Sequence, residues 1–150
     1  MKTVSFEELP KLVGQDMGTS EWVTIDQDRI NKFADATGDH QWIHVDVERA
    51  KKEMPGGKTI AHGYLTLSLV PMLGAQILRV TGVSRGINYG SNKIRFTNMV
   101  PVGSRVRARQ KLLQVEPKAG GLQMTNEMTI EIEGQERPAC IAETISLVYK

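Results

Sequence analysis

The segment Tyr64 to Leu78 constrains this chain most. It is mostly apolar, but Thr66, Ser68, Pro71, Gly74 and Gln76 interrupt it, and it falls short of the roughly 20 residues that span a bilayer. A helix that is apolar nearly all round belongs inside a protein core. The pattern therefore predicts a long buried helix from about Ala61 to Val80. Pro71 lacks a backbone donor, so that helix should kink or divide there.

What wraps this helix follows from the next change of period. Beyond Thr81-Gly82 the helical spacing gives way to alternation. Leu122, Met124, Met128, Ile130 and Ile132 alternate with Gln123, Thr125, Glu127, Thr129 and Glu131, which marks a half-exposed strand. Ile87 to Phe96, Ser104 to Val115 and the run Ile141 to Tyr149 supply three more. Trp22 to Ile25 leads in as a fifth, and Gly120-Gly121 and Gly134-Gln135 are the expected turns. Consecutive strands without intervening helices indicate an antiparallel sheet and an α+β domain. The expectation is one domain over residues 1–150, a sheet of about five strands wrapped around one central helix.

The remaining elements lie in the first half. Thr24 to Thr37 reads as a short helix capped by Thr24 or Asp26, with Ile30, Phe33 and Ala34 on its buried face and Gly38 ending it. Asp39 to Val45 reads as a loop. Asp46 caps a helix from Val47 to Glu53, which Met54-Pro55-Gly56-Gly57 stops.

Charge and cysteine content exclude several functions. The formal net charge is +2, without the basic footprint of a nucleic-acid binder. The single cysteine, Cys140, allows no intrachain disulfide and reads as a small buried apolar residue. Glu7 and Glu8 stand where a secretory signal would be apolar, so the expected location is the cytoplasm. No glycine pattern marks a dinucleotide or ATP site. His40 and His62 have no second acid or cysteine at ligand spacing, so no metal is expected.

Two segments carry chemistry. The first, Phe33 to His44, places Asp39 and His44 five residues apart beyond a helix end. Such a pair can share and activate a water; it can also be a cap and a surface polar residue. The second, Thr59 to Thr66, opens the long helix. The Gly63 N–H lies where helix donors are unpaired, and no side chain stops a ligand from approaching it. It can polarise a thioester oxygen, or Gly63 can simply permit tight packing. Arg105, Arg107, Arg109 and Lys111 recur at period two. They form either a solvated strand face or a contact for phosphate groups.

Taken together, these segments resemble the MaoC-like dehydratases and R-specific enoyl-CoA hydratases. Phe33, Thr37, Gly38, Asp39, Ile43, His44 and Ala50 match that signature in register. Ala61-His62-Gly63 resembles the start of the family's central helix, and Asn88 to Phe96 with Pro101-Val102-Gly103 resembles the strand and turn after it. The resemblance covers roughly residues 5 to 150 and is nearest to the nodulation-protein-N-like members. Gln41-Trp42 replaces the family's Asn-Pro; Trp42 can stiffen the loop by packing and can narrow the acyl site.

The resemblance implies a hot-dog fold. It also implies water addition to a 2-enoyl thioester, giving an (R)-3-hydroxyacyl product, with Asp39 and His44 as the catalytic pair and Gly63 as the oxyanion contact. The substrate would be an acyl-CoA or acyl-carrier thioester, with coenzyme A part of the substrate and no separate cofactor; any phosphates met by the Arg105 to Lys111 row would then be those of coenzyme A. The protein would assemble as a homodimer or a dimer of dimers. A hot-dog thioesterase and a non-catalytic acyl-binding module are the alternatives.

Overall fold

Ala61, Leu65, Leu69, Leu73 and Ile77 recur every four residues, and each is at most 6% exposed. This row is the inner stripe of the helical layer. The computed structural model describes residues Met1–Lys150. It contains strands β1 (Lys2–Ser5), β2 (Asp16–Thr19) and β3 (Val23–Thr24), then helices α1 (Gln27–Thr37), α2 (Trp42–Val45) and α3 (Val47–Glu53). Next come α4 (Gly63–Ser68), α5 (Val70–Gly74) and β4 (Leu78–Thr81), followed by β5 (Arg85–Phe96), β6 (Arg105–Lys118), β7 (Gly121–Ile132) and β8 (Cys140–Tyr149).

The main sheet runs β2-β6-β7-β8-β5, all antiparallel, with β3 also pairing β6. One face buries Val106, Ala108, Met128, Ile130, Cys140 and Ala142 in the same cluster as the Leu65–Leu69–Leu73 stripe, Ile25 and Ile30. Each fully buried Val, Leu, Ile or Met side chain among them contributes on the order of 1.5–3 kcal/mol. The alternation predicted for β7 is observed except at Thr125, which is buried beside Met124 and Asn126, and the β6–β7 hairpin turns through Ala119 and Gly120, both at positive φ. The sheet has six strands, one more than the expected five, because β2 was not foreseen.

The central helix differs from expectation in two ways. It is divided into α4 and α5, as Pro71 predicts, but Leu69 keeps helical angles between them (φ −78°, ψ −12°) and the Leu73 N–H still reaches the Leu69 carbonyl at 3.0 Å. It also ends at Gly74 rather than near Val80. Leu78–Thr81 instead pairs in parallel with β1, forming a small second sheet. That pairing joins residues more than seventy positions apart, which local period cannot reveal. Nor is the helix buried all round: Tyr64 is 68% exposed and Met72 is 41% exposed. No helix is long and apolar enough to cross a membrane.

Local capping follows the sequence closely. Asp26 caps α1, its carboxylate accepting from the Arg29 N–H, and Asp46 caps α3 through the Arg49 N–H. Thr24 lies in β3 instead. Gly38, at φ 81°, closes α1 by donating to the Ala34 carbonyl. The expected loop from Asp39 to Val45 is a loop only to Gln41; one helical turn, α2, then carries His44.

Candidate active site

Three short segments converge at the start of α4: the Asp39 loop after α1, the single turn α2, and residues 60–63. A backbone hydrogen bond from the Ile60 N–H to the Ile43 carbonyl, 3.0 Å, joins the last two. The His44 ring is buried at 6% exposure, and its Nδ1 lies 2.7 Å from the Ile60 carbonyl oxygen. A carbonyl only accepts, so Nδ1 carries the proton and Nε2 carries the free lone pair. Burial pushes the His44 pKa below its ordinary value, and the neighbouring His62 adds to this; the Ile60 bond and the Asp39 charge oppose it. His44 is therefore held as a neutral imidazole with a basic Nε2.

Asp39 is exposed, and its Oδ1 accepts from the Gln41 N–H at 3.3 Å. Functional atoms of Asp39, His44 and His62 all lie within 4.8 Å of one another. The two residues singled out by spacing are thus brought together, and a third joins them. His62 is 2% exposed, and its ring stacks on His44 with centroids 3.9 Å apart and planes 23° apart. Metal-ligand spacing in the sequence did not indicate this cluster, because His62 arrives from another element. Its placement in the Ala61-His62-Gly63 turn was the available signal. The three groups have ligand-atom spacing compatible with a metal ion, although His44 Nδ1 and His62 Nε2 already face the backbone carbonyls of Ile60 and Asp39.

Gly63 is the first residue of α4, so its N–H has no acceptor within the helix. It borders a cleft of about 410 Å³ shared with His44, Phe96, Met99 and Arg137. Phe96 and Arg137 were not anticipated as cleft residues; Phe96 ends β5 and Arg137 lies in the loop between β7 and β8, and only the fold brings them to α4. A second groove, about 970 Å³, lies between α4–α5 and the sheet. Leu67, Val70, Met124 and Met128 line it together with the polar Gln110 and Asn126, which hydrogen-bond to each other at 2.9 Å.

The other candidates fall elsewhere. Arg105, Arg107 and Arg109 pair with Glu133, Glu131 and Asp16 at 3.1, 3.0 and 3.2 Å. Arg107 also lies over the Trp22 ring. This row lines neither cavity and is an ion-paired outer face. His40 is an exposed partner of Asp35, whose carboxylate raises its pKa. Trp42 is fixed by the Arg49 guanidinium, 4.0 Å above its ring, and lines neither cavity.

Comparison with known proteins agrees with this architecture. The MaoC like domain matches residues 8–133. The 3-hydroxyacyl-thioester dehydratase Z of Mycobacterium tuberculosis is 54% identical over 142 residues, covering 94% of this chain and 93% of that protein. Nodulation protein N of Rhizobium leguminosarum bv. viciae is 43% identical over 150 residues, covering 99% and 93%. Among solved structures, the (R)-hydratase of A. caviae involved in PHA biosynthesis superposes with a TM-score of 0.72 at 24% identity, covering 89% of this chain and 94% of that one. The R-hydratase PhaJ1 of Pseudomonas aeruginosa also gives 0.72, at 23% identity, covering 92% and 82%. The fold is that of the hot-dog hydratases, and the chain belongs to the family of MaoC-like dehydratases.

Proposed function

We propose that this protein is an (R)-specific enoyl-thioester hydratase, catalysing the reversible addition of water to a 2-enoyl thioester, with Asp39 and His44 as its catalytic pair. The observation that carries the reading is the fixed His44 tautomer: the Ile60 carbonyl holds the proton on Nδ1, leaving Nε2 free as a base, in a ring that has a nitrogen within 4.8 Å of an Asp39 carboxylate oxygen. A water hydrogen-bonded to Asp39 gives one proton to His44 Nε2 while its oxygen bonds to the β-carbon. The electron pair of the double bond moves to the α-carbon and the thioester oxygen. The Gly63 N–H stabilises that oxygen, and the His44 imidazolium returns its proton to the α-carbon. In the dehydration direction the same groups act in reverse. Coenzyme A enters as part of the substrate.

We further infer that the working unit is a homodimer formed through β5. This strand is the sheet edge, and all its residues are exposed, including Ile87, Tyr89, Ile94 and Phe96. An unpaired edge of twelve residues that carries these four apolar side chains invites pairing with a second copy. Tyr64, exposed, meets Phe96 edge-on at 5.9 Å beside that edge, so dimerisation would enclose the smaller cleft.

The test is turnover of crotonyl-CoA. Loss of the enoyl absorbance without release of free thiol is expected; thiol release would identify a thioesterase, and tight binding without turnover on any chain length would identify an acyl-binding module. Asp39→Asn and His44→Asn should each lower kcat by about two to four orders of magnitude, the usual range for losing acid–base assistance. Near-normal turnover in Asp39→Asn would remove that residue from the mechanism.

A further inference from the structure

We propose that His62 is a positioning residue for the hydration reaction, holding the Asp39 loop and the His44 ring in register from the start of α4. The inference rests on Asp39 and His44 being the catalytic pair.

His62 Nε2 lies 3.0 Å from the backbone carbonyl oxygen of Asp39. That oxygen accepts, so the ring donates through Nε2–H, and Nδ1 bears the lone pair. Nδ1 is buried and has no hydrogen-bond partner, consistent with the tautomer being set from the Asp39 side alone. The contact is one half of a reciprocal clasp. His44, on α2, donates to the carbonyl of Ile60 before α4. His62, before α4, donates to the carbonyl of Asp39 before α2. Each imidazole thus ties its own segment to the backbone of the other.

The ring faces complete the clasp. His62 packs against His44 on one side, at 3.9 Å, and meets Phe33 of α1 at 4.9 Å, tilted by 54°. Every segment that carries a proposed reacting group therefore touches this one side chain, and Gly63 follows it directly in the chain. His62 itself offers the substrate no proton, since its donor is engaged by the backbone. Its effect is geometric. A misplacement of about 1 Å in such a site can cost roughly a hundredfold in rate.

The experiment compares His62→Phe, His62→Gln and wild type on crotonyl-CoA, alongside thermal unfolding. Phe keeps a ring and removes the donor; Gln removes the ring but can place an amide N–H near the Nε2 position. His62→Phe should lose about 10- to 100-fold in kcat with KM changed by less than about threefold, because the site is misaligned rather than closed to substrate. His62→Gln should recover most of that loss, whatever its Tm. Equal activities of the Phe and Gln variants, or losses that simply track Tm, would overturn the proposal. Should the Phe variant fail to fold, ring ¹⁵N shifts of the wild type decide: a protonated Nε2 on His62 supports the clasp, and a protonated Nδ1 overturns it. If Asp39→Asn and His44→Asn are inactive while His62→Phe is not, only this inference falls. If those two variants stay active, the catalytic assignment itself falls.

Discussion

Gly63 and Phe96 are in such close contact that a β-carbon on Gly63 would stand 3.1 Å from two atoms of the Phe96 ring. The glycine lets a β5 side chain lie across the first turn of α4. That places the ring at the mouth of the cleft containing His44. Close packing and an open backbone N–H therefore coincide at one residue, and the two readings of Gly63 are compatible.

Gly63→Ala should consequently displace the Phe96 ring and lower kcat/KM by about tenfold or more, less than the 10²–10³ that complete removal of an oxyanion donor costs. Adding Phe96→Leu should recover part of the loss by giving the new methyl room. A double-mutant cycle measured on crotonyl-CoA checks this; strictly additive effects would show that the two positions are uncoupled.

The lowered pKa of His44 predicts a pH profile. The lone pair on Nε2 is lost when the ring is protonated, so kcat/KM should fall on the acid side, with a midpoint below the ordinary histidine value of 6.5. Stability should follow the same sign. The unfolded chain takes up this proton at higher pH than the folded one, so the native state loses stability as pH drops below about 6.5 and the loss levels off below the folded pKa. Denaturant midpoints of wild type and His44→Gln across this window would separate this contribution; identical pH slopes would refute it.

The exposed β5 edge predicts a particle of about twice the 16.7 kDa chain mass by light scattering, because a two-fold pair is the expected unit. Ile87→Glu should shift the protein toward monomer, since like charges facing across paired strands are unfavourable. Activity should fall with it if the cleft needs a second copy to close. A wild-type particle that stays monomeric and fully active at micromolar concentration would contradict the shared-edge arrangement.

Cys140 is fully buried in the core, and burial raises its thiol pKa to about 11. The thiolate is the reactive form, so the native protein should resist a thiol reagent at neutral pH and react with it only on unfolding. Rapid labelling of the folded protein would show that β8 opens locally.

Much of this molecule is written in local sequence. The Asp26 and Asp46 caps, the Gly38 terminus and the β7 alternation depend on neighbours within a few residues, and each is found where the sequence places it. The Asp39–His44 spacing is also local: five residues beyond a helix end suffice to turn both side chains to one side. What local pattern could not determine depends on distant partners. Leu78–Thr81 has apolar content compatible with a helix, and becomes a strand only because Lys2–Ser5 supplies a parallel neighbour. His62 looks like a lone histidine until folding stacks it on His44 and aims it at the Asp39 carbonyl. The sequence by itself determined which residues could do acid–base chemistry and where the caps of α1 and α3 lie. Only the tertiary structure decided the tautomer of His44, the third member of its cluster and the aromatic lid on Gly63, because each rests on a contact between elements remote in the chain.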